Sequence, residues 1–333
     1  MAHELLFEDG EAAMFYAGKA PWHGLGTKLE NPATAEEAIC AAKLDWEVRK
    51  IPLCAVSEGI TRVVNGKYAI VPSHRWKDPV CPIFGTVSTG YTPLQNRDAF
   101  RFFDPIVGEG AAIYHTAGAL GDGERVWMLA KLPDDIQVAV GDISNKYLLL
   151  SNSHDGRSSV QIKFTPVRVV CNNTLVQALG SGETIRVSHT SDLRNRLDIA
   201  RQNLRLINTR YTSIESTFRD MVRVKMDDTR LAAYLKLVFP EPHDPKDERA
   251  AEQVWKIRKS ATFLFVNGKG NRLGAVAGTL WAAYNGVAEL IDHGPTSRKP
   301  GQQLKFIWFG SGAGIKARAF DVAKKQMASE WRS

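Results

Sequence analysis

Apolar residues recur along residues 193–221 at alternating intervals of four and three: Leu193, Leu197, Ala200, Leu204, Ile207, Tyr211, Ile214, Phe218 and Met221. An unbroken heptad of this length predicts one long helix of about eight turns, spanning roughly 190–225. Its seam needs a partner, either another helix of the chain or the same helix of a second subunit. Elsewhere the period shortens to two. Residues 111–171 predict an antiparallel meander, with strands at 112–116, 125–130, 146–151 and 159–171 and turns at Gly121-Asp122-Gly123 and His154-Asp155-Gly156. A helix capped by Asn172 or Asn173 and ended by Gly180 completes a β-β-β-α core over 125–179.

Local signals place further elements. Thr34 with Glu37 three residues on forms a capping box for a helix over 35–44. Asn65-Gly66 between Thr61–Val64 and Tyr68–Val71 predicts a hairpin turn. A strand is expected at 84–88, and Asn96 is expected to cap a helix through Phe103. Three prolines in Phe239–Pro245 mark a linker. Helices follow at 247–264 and 272–291, the second rich in small residues (Gly274, Ala275, Ala277, Gly278, Ala282), and a basic helix ends the chain. The expected fold class is α+β, with an antiparallel sheet domain over 1–185, the amphipathic helix and its successor over 186–239, and a helical region with a basic tail over 246–333.

Ser159 to Cys171 carries a change of parity. Val160, Ile162 and Phe164 alternate with Gln161, Lys163 and Thr165, but beyond Pro166 the apolar set is Val167, Val169 and Cys171. A one-residue bulge at Pro166, which has no N–H to give a ladder, would restore both faces. Lys163 and Arg168 would then share one open face, with Arg157 nearby.

Charge sharpens that picture. The 333 residues carry a formal +7, with 44% hydrophobic and 24% charged residues, ordinary for a globular chain. Residues 1–50 hold five Lys/Arg against nine Asp/Glu, net −4; residues 186–225 hold nine against four, net +5; residues 295–333 hold eight against two, net +6. Two basic segments can present a positive stripe to a polyanion, and charge runs also serve simply as solvated helix faces. No apolar run reaches the roughly 18 residues of a membrane span, and the mixed, acidic N-terminal stretch does not read as a signal peptide, so a cytoplasmic location is expected. Cys40, Cys54, Cys81 and Cys171 contain no C-x-x-C pair; they are expected as buried small apolar residues, with no zinc site and no cofactor.

Catalytic patterns are weak. Gly310–Lys316 is glycine-rich, but Ile315 separates Gly314 from Lys316, which departs from the phosphate-loop pattern; a nest for a single phosphate stays open beside a plain strand-to-helix turn. Cys171 with His154 and Asp155 could be assembled into a thiol nucleophile and base, although His154-Asp155-Gly156 already reads as a turn. No metalloprotease, serine-hydrolase or carboxylate motif is present.

Pro21-Trp22-His23-Gly24-Leu25-Gly26, the run Gly90–Asn96 and the run Phe164–Leu175 resemble the phage/plasmid-like proteins defined by domain of unknown function nine-three-two. Thr279–Asn285 with Asp292-His293 is similar to the C-terminal signature of that family. The resemblance implies mobile-element origin and brings no catalytic residues. Strands followed by a helix over 125–179 also resemble, in topology alone, the core of single-strand annealing proteins of the Red-beta and Rad fifty-two type. That second resemblance implies a basic, nucleotide-independent protein forming rings or filaments on single-stranded DNA. The expected function is thus single-stranded DNA binding and annealing by a homo-oligomer, with Arg157, Lys163, Arg168, Arg194, Arg201 and Arg205 on phosphates. Two other readings stay open: a non-enzymatic interaction or replication accessory protein of a mobile element, and an enzyme acting on nucleic acid.

Overall fold

A computed structural model describes residues 5–17, 25–31, 33–108, 112–168, 173–174, 184–203, 207–294, 306–307 and 310–330. In chain order the first elements are β1 (Phe7–Glu8), β2 (Glu11–Ala12), β3 (Met14–Ala17), β4 (Thr27–Leu29), α1 (Ala35–Ala41), β5 (Val48–Ser57), β6 (Ile60–Pro72) and β7 (Gly85–Ser88). Then come α2 (Asn96–Arg101), α3 (Asp104–Gly108), β8 (Ile113–Leu120), β9 (Arg125–Lys131), β10 (Ile136–Ala139), β11 (Asp142–Asn145), β12 (Tyr147–Ser153), β13 (Val160–Phe164), β14 (Val167–Arg168), β15 (Asn173–Thr174) and β16 (Ile185–Val187). The rest is helical: α4 (Leu193–Asn203), α5 (Ile207–Arg223), α6 (Asp228–Val238), α7 (Glu248–Asn267), α8 (Leu280–His293) and α9 (Ser311–Glu330). Helices with mixed and antiparallel sheets make this an α+β protein.

The chain forms two compact units. One comprises residues 1–133, 148–163 and 184–205; the other comprises 134–147, 164–183 and 206–333.

The first unit is built on a sheet ordered β16-β13-β12-β9-β8-β3-β4. β3 and β4 run parallel, while the β3–β8, β8–β9 and β13–β16 pairs are antiparallel. Every residue of β12 is buried, as expected for a central strand covered on both faces. The capping box forms at α1: Glu37 N–H donates to Thr34 Oγ1 (3.2 Å) and Thr34 N–H to Glu37 Oε2 (2.9 Å). A smaller sheet, β5-β6-β7, carries a ribbon whose residues 54–63 are exposed throughout. Its turn is at Glu58-Gly59, both at positive φ (51° and 75°), not at Asn65-Gly66. Cys54 pairs with Val63 and Pro52 with Tyr68, so four residues of β6, Asn65-Gly66 among them, bulge opposite Leu53. Gly66 at φ 70° makes that bulge cheap, and the longer pairing wins.

The second unit joins the sheet β10-β11-β14-β15 to α5–α9. Tyr211 on α5 receives Tyr147 N–H (3.0 Å) and donates its hydroxyl to Tyr147 O (2.6 Å), and its ring lies edge-on to Phe164. Trp281 on α8 donates Nε1–H to the buried Asp142 (2.7 Å) and packs on Phe218. The small residues 274–278 precede α8 instead of lying in it: Thr279 is the N-cap and Gly278 has φ 67°. Gly286 is the close-approach position, since a Cβ there would stand 2.9 Å from Phe265 N on α7.

The heptad residues fall on two described helices. Leu193, Leu197 and Ala200 are buried on α4, and Tyr211, Ile214, Phe218 and Met221 on α5. These belong to different units; Leu204 lies outside the described residues, as does the side chain of Ile207. Because the described seam is already buried within one chain, it supplies no reason for a second subunit.

Candidate nucleic-acid interface

The run Gly90–Asn96 becomes a knot of buried and part-buried hydrogen bonds. Tyr91 donates its hydroxyl to Ser153 O (3.2 Å), and Thr92 N–H donates to His189 O (3.0 Å). Gln95 clamps Val48 at both its N–H (2.9 Å) and its carbonyl (3.1 Å). Asn96 does not cap α2; the N-cap position is Gln95, which makes no side-chain cap bond. Instead the Asn96 amide nitrogen donates to Leu44 O (3.1 Å) and Trp46 O (3.3 Å), so its Oδ1 faces His154 Nε2 at 3.0 Å. That oxygen can only accept, which assigns the proton to Nε2 and leaves Nδ1 a bare acceptor. His189 likewise donates Nδ1–H to Thr92 O (3.1 Å).

His154 is fully buried between Trp46 and Phe84 (5.8 and 6.0 Å between ring centroids). Burial, then the neighbouring His189, push its pKa down to about 3, against the raising effect of Asp155. A neutral, walled-in imidazole of this kind is an anchor for loops 44–48 and 151–155, not a reacting group. Cys171, the nucleophile that would pair with it, lies outside the described residues. Cys40 and Cys54 are exposed and Cys81 is half-buried, all as free thiols, against the expectation of buried cysteines.

The basic residues are distributed differently from expectation. Val160, Ile162 and Phe164 are buried, with Ile185 and Val187 of β16 paired on the same face. Gln161 pairs with Arg186, which puts Gln161, Lys163 and Arg186 on the opposite face. Lys163 is 7% exposed. Burial first, and then the Arg186 and Arg125 guanidiniums, bring its pKa down to about 8. Arg125 opens β9 and donates to Ser158 Oγ (3.1 Å) in the turn that leads into β13. Three cations from β9, β13 and β16 thus converge.

Arg168 lies on β14 by its backbone, and its side chain falls outside the described residues. Thr165 N–H donates to Tyr147 O (2.9 Å), Pro166 ends the ladder, and β14 joins the other sheet, pairing with β11 and β15. A proline that cannot donate has switched the strand between sheets, where a bulge was expected. Arg157 is exposed, and its backbone N–H donates to Asp155 Oδ1 (2.8 Å). Arg194 is exposed and pairs with Asp98 at 3.5 Å. Arg201 lies on α4 by its backbone, while its side chain and all of Arg205 fall outside the described residues. Sequence reasoning missed Arg125 and Arg186. The alternation Ile185-Arg186-Val187 was the available signal for Arg186, and only strand pairing could reveal Arg125.

The glycine run before Lys316 is no phosphate loop. Ser311 opens α9, a Cβ at Gly312 would strike the Phe306 ring at 2.7 Å, and Lys316 is buried in an ion pair with Asp292 (2.6 Å). Among the described residues no group of three His, Cys, Asp or Glu side chains could hold a metal ion, and no helix is long and apolar enough to cross a membrane.

The fold and site therefore define an α+β protein with cations gathered around Lys163 and a buried polar knot. A family model described as Domain of unknown function (DUF932) matches residues 83–308. The match covers over two thirds of the chain and includes the knot run, Arg125, Lys163, Arg186 and α8; the chain belongs to this family. No curated protein and no solved structure matches it.

Proposed function

We propose that the protein binds single-stranded nucleic acid by its phosphate backbone and promotes annealing of complementary strands without nucleotide hydrolysis. The observation that carries this reading is the gathering of the Arg125 and Arg186 guanidiniums near Lys163, with Arg186 exposed on β16. Cations gathered close together raise the local positive potential, which attracts a polyanion. Binding confined to phosphates leaves base edges free to pair, which annealing requires. Carriage by a phage or plasmid, as the family resemblance implies, suits a protein that handles strands during replication or recombination. Any ring or filament would have to be built from surfaces other than the heptad seam.

The test is fluorescence anisotropy with a labelled single-stranded oligonucleotide across a salt series. The wild type should bind with a linear log–log salt dependence. Arg125→Glu/Arg157→Glu/Arg186→Glu should flatten that dependence by about 2, at about 0.7 for each phosphate left unneutralised. Affinity should also fall as pH rises through about 8, where Lys163 loses its proton, and Lys163→Gln should remove that dependence. Failure of the wild type to bind at low salt would overturn the reading.

A further inference from the structure

In the second unit, α7 has an outward face that none of the described residues covers. Its inward side is fixed: Ala261 and Phe265 are buried, and Gly286 of α8 lies against the Phe265 backbone. Arg258 is tied to Phe239 O through Nε (3.0 Å) and to Glu241 (2.6 Å). The opposite side presents Trp255, Phe263 and Val266, which are 58%, 64% and 57% exposed. At 100° per residue these three and Lys259 fall within one narrow stripe. Lys259 Nζ sits 4.9 Å from the Trp255 ring centroid. Beside Phe263 opens a cavity of about 450 Å³, walled by Leu264 and Leu290 with Lys259, Glu289 and His293 among its lining.

Two features select the occupant. Residues 246–272 carry seven Lys/Arg against three Asp/Glu, net +4, a basic segment distinct from the two at 186–225 and 295–333. And Lys259 stands in the middle of the apolar stripe, so mating this face with a second copy would bury ammonium groups in an apolar seam. Aromatic faces interleaved with cations suit a ligand that alternates flat rings with anions.

The geometry points to a stacking platform for single-stranded nucleic acid, in which Trp255 and Phe263 receive bases while Lys259 meets a phosphate and Lys256 meets another by leaving its ion pair with Glu252 (2.8 Å). This rests on the proposed function and adds a second binding surface to it. Trp255 and Phe263 are eight residues apart, about 12 Å along the axis. That exceeds the roughly 3.4 Å rise of stacked neighbours, so the two rings serve non-adjacent bases.

Trp255→Ala/Phe263→Ala in the full chain tests it, alongside the Arg125→Glu/Arg157→Glu/Arg186→Glu variant. The aromatic double variant should bind a single-stranded oligonucleotide at least about tenfold more weakly, with an unchanged salt slope, because every cation is retained. Its affinity for inorganic polyphosphate, which has no bases, should equal that of the wild type, and Trp255→Phe/Phe263→Tyr should retain binding to the oligonucleotide. Undiminished oligonucleotide affinity in the alanine variant, while the arginine variant is weakened, would overturn the platform and leave the proposed function standing. A wild-type dimer made monomeric by the alanine changes, with binding intact, would show instead that the face joins two copies. Absence of wild-type binding to oligonucleotides would overturn both readings.

Discussion

Asn96 shows how much one side chain can hold. Buried at 1% exposure, it joins Leu44 O, Trp46 O and His154, so Asn96→Ala strands two carbonyls and a histidine donor. At about 1–3 kcal/mol for each buried group left unsatisfied, a loss of several kcal/mol in chemical denaturation is expected. His154 adds a pH signature. Its folded pKa lies near 3, below the ordinary 6.5. Between these values the unfolded chain takes up a proton that the folded chain refuses, so stability falls as pH drops from about 6.5 toward 3. The slope from this group approaches about 1.4 kcal/mol per pH unit. His189 is shifted in the same direction, by burial first. The dependence of urea-unfolding stability on pH between 7 and 4 should therefore be shallower by about one proton in His154→Asn than in the wild type. An identical slope would show that the imidazole is protonated in the fold.

At the scale of elements, α8 and α9 are joined through Lys316 and Asp292, 0% and 3% exposed. Removing one partner leaves a buried charge, so Lys316→Met should cost about 3–5 kcal/mol, whereas Lys316→Met/Asp292→Leu should recover at least half of that. Thermal or urea unfolding of the single and double variants reads this directly, and simple additivity would show that the pair is not coupled. Such a pair was invisible in the sequence, where Lys316 read as the end of a glycine loop. Signals that act locally were legible: the Thr34 capping box, the Gly121–Gly123 turn, the alternation of Val160, Ile162 and Phe164, and the buried heptad positions of α4 and α5. Where two local signals competed, only pairing could decide, as with Glu58-Gly59 against Asn65-Gly66. Lys163 was legible as the polar residue of an alternating strand, but Arg125 and Arg186, whose charges act on it, come from other strands. Long-range register has no imprint in a single sequence, and Pro166 was compatible with either a bulge or a change of sheet.

The whole molecule is organised by interleaving. The chain passes between its two units five times, after residues 133, 147, 163, 183 and 205. Two of those passages occur within continuous strands. β12 has Tyr147 bonded at both backbone groups by Tyr211 of the second unit, while Leu148–Ser153 run through the large sheet of the first. β13 likewise ends at Phe164, whose ring meets Tyr211. A strand cannot melt at one end without fraying the ladder that continues from it, so loss of the second unit withdraws the ends of two adjacent interior strands from the first. Cutting between units is worse, because residues 1–133 alone would expose β9 as a long apolar edge where β12 should pair, a surface prone to aggregation. Two consequences are expected. The fragment 1–133 should be insoluble or unfolded when expressed alone. The full chain should unfold in urea as one transition, with tryptophan fluorescence and far-ultraviolet circular dichroism coincident. Buried Trp46 and Trp127 lie in the first unit and buried Trp281 in the second, so Trp46→Phe/Trp127→Phe and Trp281→Phe variants shift the weight of the fluorescence from one unit toward the other while the remaining tryptophans stay in place. Midpoints that differ between those variants beyond their separately measured stabilities would mean that the units fold independently despite the shared strands.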